Sequence, residues 1–163
     1  MTLIRRIRPA LLAVGLAAAV GAALANAHGS PHPVIHGPAK GKIGVVEVVD
    51  DQFDFGDKVT LDCPPPEGVK PCKVVVTVKT KKKFKLRGSA KKAKNVTLGR
   101  IRYKIPSNRE LAPVEPIALS EKGHKALHRF GPFLKARARV KITHHEAIIR
   151  HYSLTLKGEE HEE

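Results

Sequence analysis

Val59-Thr60-Leu61-Asp62-Cys63 and Cys72-Lys73-Val74-Val75-Val76-Thr77-Val78-Lys79, separated by Pro64-Pro65-Pro66-Glu67-Gly68-Val69-Lys70-Pro71, decide the fold. Val59, Leu61 and Cys63 fall on one face of the first run. Cys72, Val74, Val76 and Val78 fall on one face of the second. Lys58, Thr60 and Asp62, then Lys73, Thr77 and Lys79, take the opposite faces. A period of two with one apolar face is the pattern of a half-buried β-strand. The segment between the cysteines has too many prolines to be helix or strand.

The alternation continues on both sides. Ile43 to Val49 reads as a first strand, followed by an acidic turn from Asp50 to Asp57 that turns Phe53 and Phe55 to one side. Asn95 to Leu98 and then Ile101, Tyr103 and Ile105 form a strand whose parity breaks at Gly99, where a β-bulge would restore the apolar face. Pro113 and Pro116 confine the next segment to a sheet edge or to irregular chain. Ser120 to Gly131 is the one convincing helix, spanning residues 121–130. Ser120 is its N-cap, Glu121 suits the positive end of the dipole, His128 and Arg129 suit the negative end, and Gly131 is the expected left-handed stop. Then Leu134, Ala136, Ala138, Val140 and Ile142 alternate with Lys135, Arg137, Arg139 and Lys141. A last strand runs from Ile148 to Leu156. About seven short strands and one short helix predict an all-β, Ig-like antiparallel β-sandwich over residues 42–157. A small barrel is the alternative.

The ends are read differently. Arg5, Arg6 and Arg8 precede an Ala/Leu/Val stretch from Ala10 to Leu24, and Ala25-Asn26-Ala27 fits a small-x-small cleavage site. Residues 1–27 are therefore expected to be a signal peptide, with His28 as the mature N-terminus; cleavage after Ala25 also fits. The apolar stretch is short for a span of ~20 residues. Residues 28–41, rich in His, Pro and Gly, are expected to be a flexible tail, and residues 158–163 an acidic disordered one. Export places Cys63 and Cys72 in an oxidising compartment, where a disulfide is the default. A redox or metal pair is the competing reading, weakened by the lack of a second Cys pair and of C-x-x-C spacing.

Here the residues reach a resemblance. A strand ends in Cys63, Cys72 opens a Val-rich strand, and a Lys-rich loop leads to Leu98-Gly99-Arg100-Ile101-Arg102-Tyr103-Lys104-Ile105-Pro106. Leu119-Ser120-Glu121-Lys122-Gly123 then opens the helix. From about Val59 to Lys157 this resembles the Ig-like β-sandwich modules of secreted and surface proteins of high-GC Gram-positive bacteria. The chain departs from that pattern at Pro113/Pro116 and at His144-His145-Glu146. The resemblance brings no catalytic residues with it.

Charge is the strongest chemical signal. The sequence holds 30 Lys and Arg against 15 Asp and Glu, a formal charge of +15. From Lys70 to Arg109 there are fifteen basic residues and no acid. Lys81, Lys82, Lys83, Lys85, Arg87, Lys91 and Lys92 crowd one loop, and Lys135, Arg137, Arg139 and Lys141 share one strand face. Such a field attracts polyanions, and outside a cell these are anionic wall polymers or acidic polysaccharides. Sequence-specific nucleic acid is not expected, because only Phe84 interrupts the basic loop and base stacking needs aromatic platforms. A merely solvated, solubilising face is the plainer reading.

Nine histidines are the second signal. His28, His32 and His36 recur in the N-terminal stretch, and His124 and His128 lie one helical turn apart, so each group has donors for Cu²⁺ or Zn²⁺. If cleavage follows Ala27, the α-amine and imidazole of His28 would chelate copper together. Asp50, Asp51, Asp54 and Asp57 lack the ligand order of a calcium loop. There is no nucleophile motif and no Gly-rich phosphate loop. The expectation is an exported, non-catalytic protein with a structural or adhesive role and no cofactor; a copper- or zinc-binding exported protein is the alternative.

Overall fold

The structure, a computed structural model, describes residues 32–64, 70–84 and 93–158. The expected signal peptide, His28 and the acidic end from 159 onward lie outside these residues. Among the described residues, ten strands and one α-helix follow in order: β1 Val34–His36, β2 Lys42–Glu47, β3 Gln52–Phe53, β4 Thr60–Cys63, β5 Cys72–Thr80, β6 Thr97–Ile105, β7 Arg109–Pro113, β8 Ile117–Ala118, α1 Glu121–Phe130, β9 Phe133–Thr143 and β10 Ala147–Lys157. They form a three-stranded sheet in the order β1-β4-β7 and a five-stranded sheet in the order β2-β10-β9-β5-β6, with β3 and β8 paired apart. The first sheet has the order A-B-E of the immunoglobulin fold, and β10-β9-β5-β6 of the second have the order G-F-C-C′, with β2 added at the edge beside β10. The expected Ig-like sandwich is therefore the fold.

The core is aliphatic because the inward sets of the long strands are aliphatic. Val74, Val76 and Val78 of β5, Ala136, Ala138, Val140 and Ile142 of β9, and Leu156 of β10 are almost wholly buried, and they share one core with Leu61 of the smaller sheet and Val59 just before it. Phe53 and Phe55 are also buried, on the side the acidic turn predicted. The expected turn over Asp50 to Asp57 is shorter: it opens as a two-residue hairpin, in which Val49 and Gln52 exchange backbone hydrogen bonds of 2.8 and 2.9 Å, and continues into β3 and a 3-10 turn over Gly56–Lys58. Asp50 and Asp51, between Val49 and Gln52, have φ of 47° and 60°. Positive φ at both central positions is what a type I′ hairpin needs to match strand twist, and Asp accepts it better than most residues.

The two halves of the opening stretch lie in different sheets. Cys63 ends β4 and Cys72 begins β5, and their disulfide, with Cα atoms 5.8 Å apart, ties the three-stranded sheet to the five-stranded one. Antibody domains bridge their sheets from B to F; this chain bridges them from B to C, between consecutive strands.

The bulge in β6 forms as expected. Val78 faces Gly99 while the next residue, Lys79, faces Thr97, which leaves Leu98 as the extra residue. Both Leu98 and Gly99 turn inward. The helix is built onto this irregularity. Ser120 N–H donates to the Leu98 carbonyl at 2.6 Å. Ser120 Oγ donates to the Thr97 carbonyl at 2.7 Å and accepts from Gly123 N–H at 3.0 Å. Gly123 is needed because a Cβ there would sit 2.6 Å from the Leu98 carbonyl oxygen. The Leu-Ser-x-x-Gly start is thus a cap and a close approach in one motif. At the other end Gly131 has φ of 89° as a helix stop should, with ψ of 176°, so the chain leaves extended rather than left-handed.

Two expectations need correction. The stretch 28–41 is not simply a flexible tail, because Val34–His36 pairs antiparallel with β4. Ile35 is buried there, and Pro33 and Pro38 flank the strand without entering it. Because both prolines fall outside Val34–His36, neither removes a backbone donor from the strand. The sandwich is also not wholly antiparallel. β2 runs parallel to β10, with a register shift at Ser153/Leu154 opposite Gly44 that keeps Ile43 and Val46 in the core.

Candidate functional site

Sheet order decides which basic residues meet. β9 lies between β5 and β10, and β5 lies between β9 and β6. The outward residues of β9 therefore have neighbours whose identity the strand itself does not reveal. Arg137 faces Lys79 on β5 and Ser153 on β10; Arg139 faces Thr77 and His151; Lys141 faces Val75 and Ile149. One strand further out, Arg100 faces Thr77, Arg102 faces Val75, and Lys104 faces Lys73. Lys73, Lys79, Arg100, Arg102, Lys104, Lys135, Arg137 and Arg139 are all exposed, and Lys141 is half-buried. Among the described residues, the acid on this sheet face is Glu47. It stands on the far edge strand β2 and pairs with Lys157, Nζ to Oε1 3.3 Å.

Of the residues expected to bind polyanion, Lys135, Arg137, Arg139 and Lys141 form the middle row of this face. Lys81, Lys82 and Lys83 are exposed at its edge, just after β5. Lys85, Arg87, Lys91 and Lys92 lie outside the described residues. Sequence reasoning did not assemble Lys73, Lys79, Arg100, Arg102, Lys104 and His151 into the site. Their alternation along each strand was visible; the lateral order of the strands was not.

A polar network holds the rim where loop and sheet join. Thr80, buried among apolar neighbours, accepts from Val96 N–H through Oγ1 at 2.9 Å and donates to the Lys82 carbonyl at 2.8 Å. Asn95 Nδ2 donates to the Thr80 carbonyl at 2.6 Å. Phe84, the aromatic inside the basic loop, stacks on Phe130 of the helix with centroids 3.9 Å apart. Phe130 thus takes one face of the Phe84 ring. Next to this rim, Thr77, Lys79, Arg100, Arg137, Arg139 and His151 line a shallow depression of about 530 Å³.

Among the described residues the histidines do not converge on one site. His36 Nε2 lies 2.6 Å from Asp62 Oδ2, across β1 and β4. His124 Nδ1 lies 3.4 Å from Asp51 Oδ1, and His128, one turn on, lines the same 670 Å³ depression beside the helix. His32 is exposed before β1. Among the described residues no three His, Cys, Asp or Glu side chains gather as a metal site would require. His144, in the last turn, has both ring nitrogens buried without a hydrogen-bond partner and meets His145 edge-on.

No protein-family model matches the sequence, and no curated protein matches it. Among solved structures, murine CRIg is similar with a TM-score of 0.35 and 13% identity, over 79% of this chain and 99% of that one. ACE19, the collagen binding subdomain of the Enterococcus faecalis surface protein ACE, is similar with a TM-score of 0.27 and 9% identity, over 69% and 93%. Likeness this distant adds nothing to the strand order, on which the fold assignment rests. Among the described residues no helix is long and apolar enough to cross a membrane.

Proposed function

We propose that this is an exported, non-catalytic β-sandwich protein that attaches to anionic polymer outside the cell through the outward face of its five-stranded sheet. The observation that carries the reading is the pairing of like charges in that sheet. Lys79 stands directly opposite Arg137, and Lys73 directly opposite Lys104. Like charges at directly opposed positions destabilise a sheet, so their repetition opposes folding. An arrangement that works against stability and presents a flat field of one sign fits a surface whose charge is neutralised by a partner. Wall polymers with phosphate groups and acidic polysaccharides have that chemistry.

Retention on an immobilised polyanion tests the reading. The wild-type protein should bind heparin or teichoic acid resin and elute with salt. Replacing Lys81, Lys82 and Lys83 by Gln, or Arg137 and Arg139 by Gln, should lower the eluting salt concentration. Unchanged elution of both variants would return the charge to a solvated surface.

A further inference from the structure

The arginines of the cationic face are not spread evenly. Arg137 and Arg139 are two residues apart on β9, hence ~7 Å apart on one side of the strand. Arg100 reaches the same depression from β6, across the intervening β5. Two lysines, Lys79 and Lys81, also line it, with Thr77, Thr97 and His151 beside the rim residues Thr80 and Asn95. The lysines of the face lie mostly outside this depression: Lys73, Lys104, Lys135 and Lys141 flank it. The rim is fixed by the Thr80 and Asn95 hydrogen bonds, so the neighbouring strand ends are held in place before any ligand arrives.

Arginine and lysine differ in what they recognise. A guanidinium is a planar fork that donates two parallel hydrogen bonds, while an ammonium is a compact point charge. Forks entering one depression from two strands are all satisfied only by a group with acceptor oxygens in several directions. A carboxylate has two coplanar oxygens and suits one fork. A sulfate ester or a phosphate monoester presents three non-bridging oxygens on a tetrahedral centre, which the plane of no single fork can contain.

We infer that the depression lined by Arg100, Arg137 and Arg139 is a subsite for one tetrahedral oxyanion, a sulfate or phosphate ester of the bound polymer. The surrounding lysines supply attraction without this selectivity. The inference rests on the polyanion reading and deepens it, giving the binding face a chemical preference.

Three dextrans of equal length and equal degree of substitution test it: dextran sulfate, dextran phosphate and carboxymethyl dextran. Binding is measured at fixed salt for the wild type and for Arg137→Lys/Arg139→Lys, which preserves charge. Circular dichroism checks that the variant is folded. The wild type should bind one or both of the tetrahedral polymers at least ~10-fold more tightly than the carboxylate polymer, on the scale of ~1.4 kcal/mol per tenfold. The stronger of the two identifies sulfate or phosphate as the source. The Lys variant should lose most of that ratio while keeping its affinity for carboxymethyl dextran. Equal wild-type binding to all three polymers overturns the subsite and leaves the polyanion reading standing, as does a ratio unchanged in the Lys variant. Binding to none of the three overturns both.

Discussion

The two sheets of this sandwich treat their exposed polar residues in opposite ways. On the three-stranded sheet one carboxylate is held in contacts that cross the strands. Asp62, in the middle of β4, takes the His36 imidazole at 2.6 Å through one carboxylate oxygen and the Leu111 N–H at 2.7 Å through the other. Leu111 has a φ of 48°, and the pairing of β4 with β7 shifts between Leu61 and Cys63. One carboxylate thus joins three strands and satisfies an amide exposed by the irregularity. On the five-stranded sheet, by contrast, lysine and arginine stand opposite one another. The first arrangement stabilises the fold from within. The second leaves a field whose neutralisation must come from solution. Polar residues on a strand surface are not of one kind, and their lateral neighbours separate those that hold the fold from those that stand beside like charge.

The largest perturbation is removal of the link between the sheets. Cys63→Ser together with Cys72→Ser should cost about 3 kcal/mol, the chain-entropy value for so short a loop, and lower the melting temperature by several degrees. A stability unchanged by reduction would mean that the two sheets hold together without their cystine.

Next in size is the small sheet's carboxylate. Asp62→Ala removes the acceptor of two solvent-exposed hydrogen bonds, to His36 and the Leu111 amide, and should cost about 0.5–1.5 kcal/mol by denaturant titration. A change of less than about 0.5 kcal/mol, the ordinary range for a surface substitution, would erase the contrast between the sheets.

A third test probes the interior side of the large sheet. Tyr103, on β6, has its phenol pushed up to about 12, chiefly by burial; the Glu115 backbone works against the shift. Between the unfolded value of 10 and the folded value, the native state keeps a proton that the unfolded chain loses. Stability from this group is therefore complete below pH 10 and declines as pH rises toward 12. Tyr103→Phe should flatten that part of an alkaline unfolding curve, and an identical curve for the variant would refute the assignment. The smallest effect should come from the cationic face itself. Lys81→Gln/Lys82→Gln/Lys83→Gln, or Arg137→Gln/Arg139→Gln, should leave the melting temperature nearly unaltered or raise it slightly, since like-charge repulsion is relieved.

Much of this was legible because strand parity and helix caps are local. Val59, Leu61, Val74, Val76 and Val78 announced their burial through a period of two, and Ser120 announced the cap. The bulge at Leu98-Gly99 was legible because it breaks parity within a single strand. The strand at Val34–His36 was not, since three residues between prolines carry too little pattern and gain their structure from β4. The parallel course of β2 was hidden for a related reason: alternation gives a face but not a direction. The site followed the same division. Each basic row could be read along its own strand, yet Lys79 beside Arg137 and Arg100 near Arg139 depend on which strands become neighbours. Asp62 likewise read as one more outward polar residue until β1 and β7 closed on either side of it.

The central claim is that the outward face of the five-stranded sheet binds anionic polymer by charge. The slope of log affinity against log salt concentration tests it most directly, measured with one polyanion for the wild type and for Lys135→Gln/Arg137→Gln/Arg139→Gln/Lys141→Gln. The wild type should show a steep negative slope. The variant should keep its melting temperature and show a slope shallower by ~0.7–0.9 for each anionic group of the polymer that the protein no longer neutralises. Parallel slopes for the two proteins, or an affinity indifferent to salt, would contradict it.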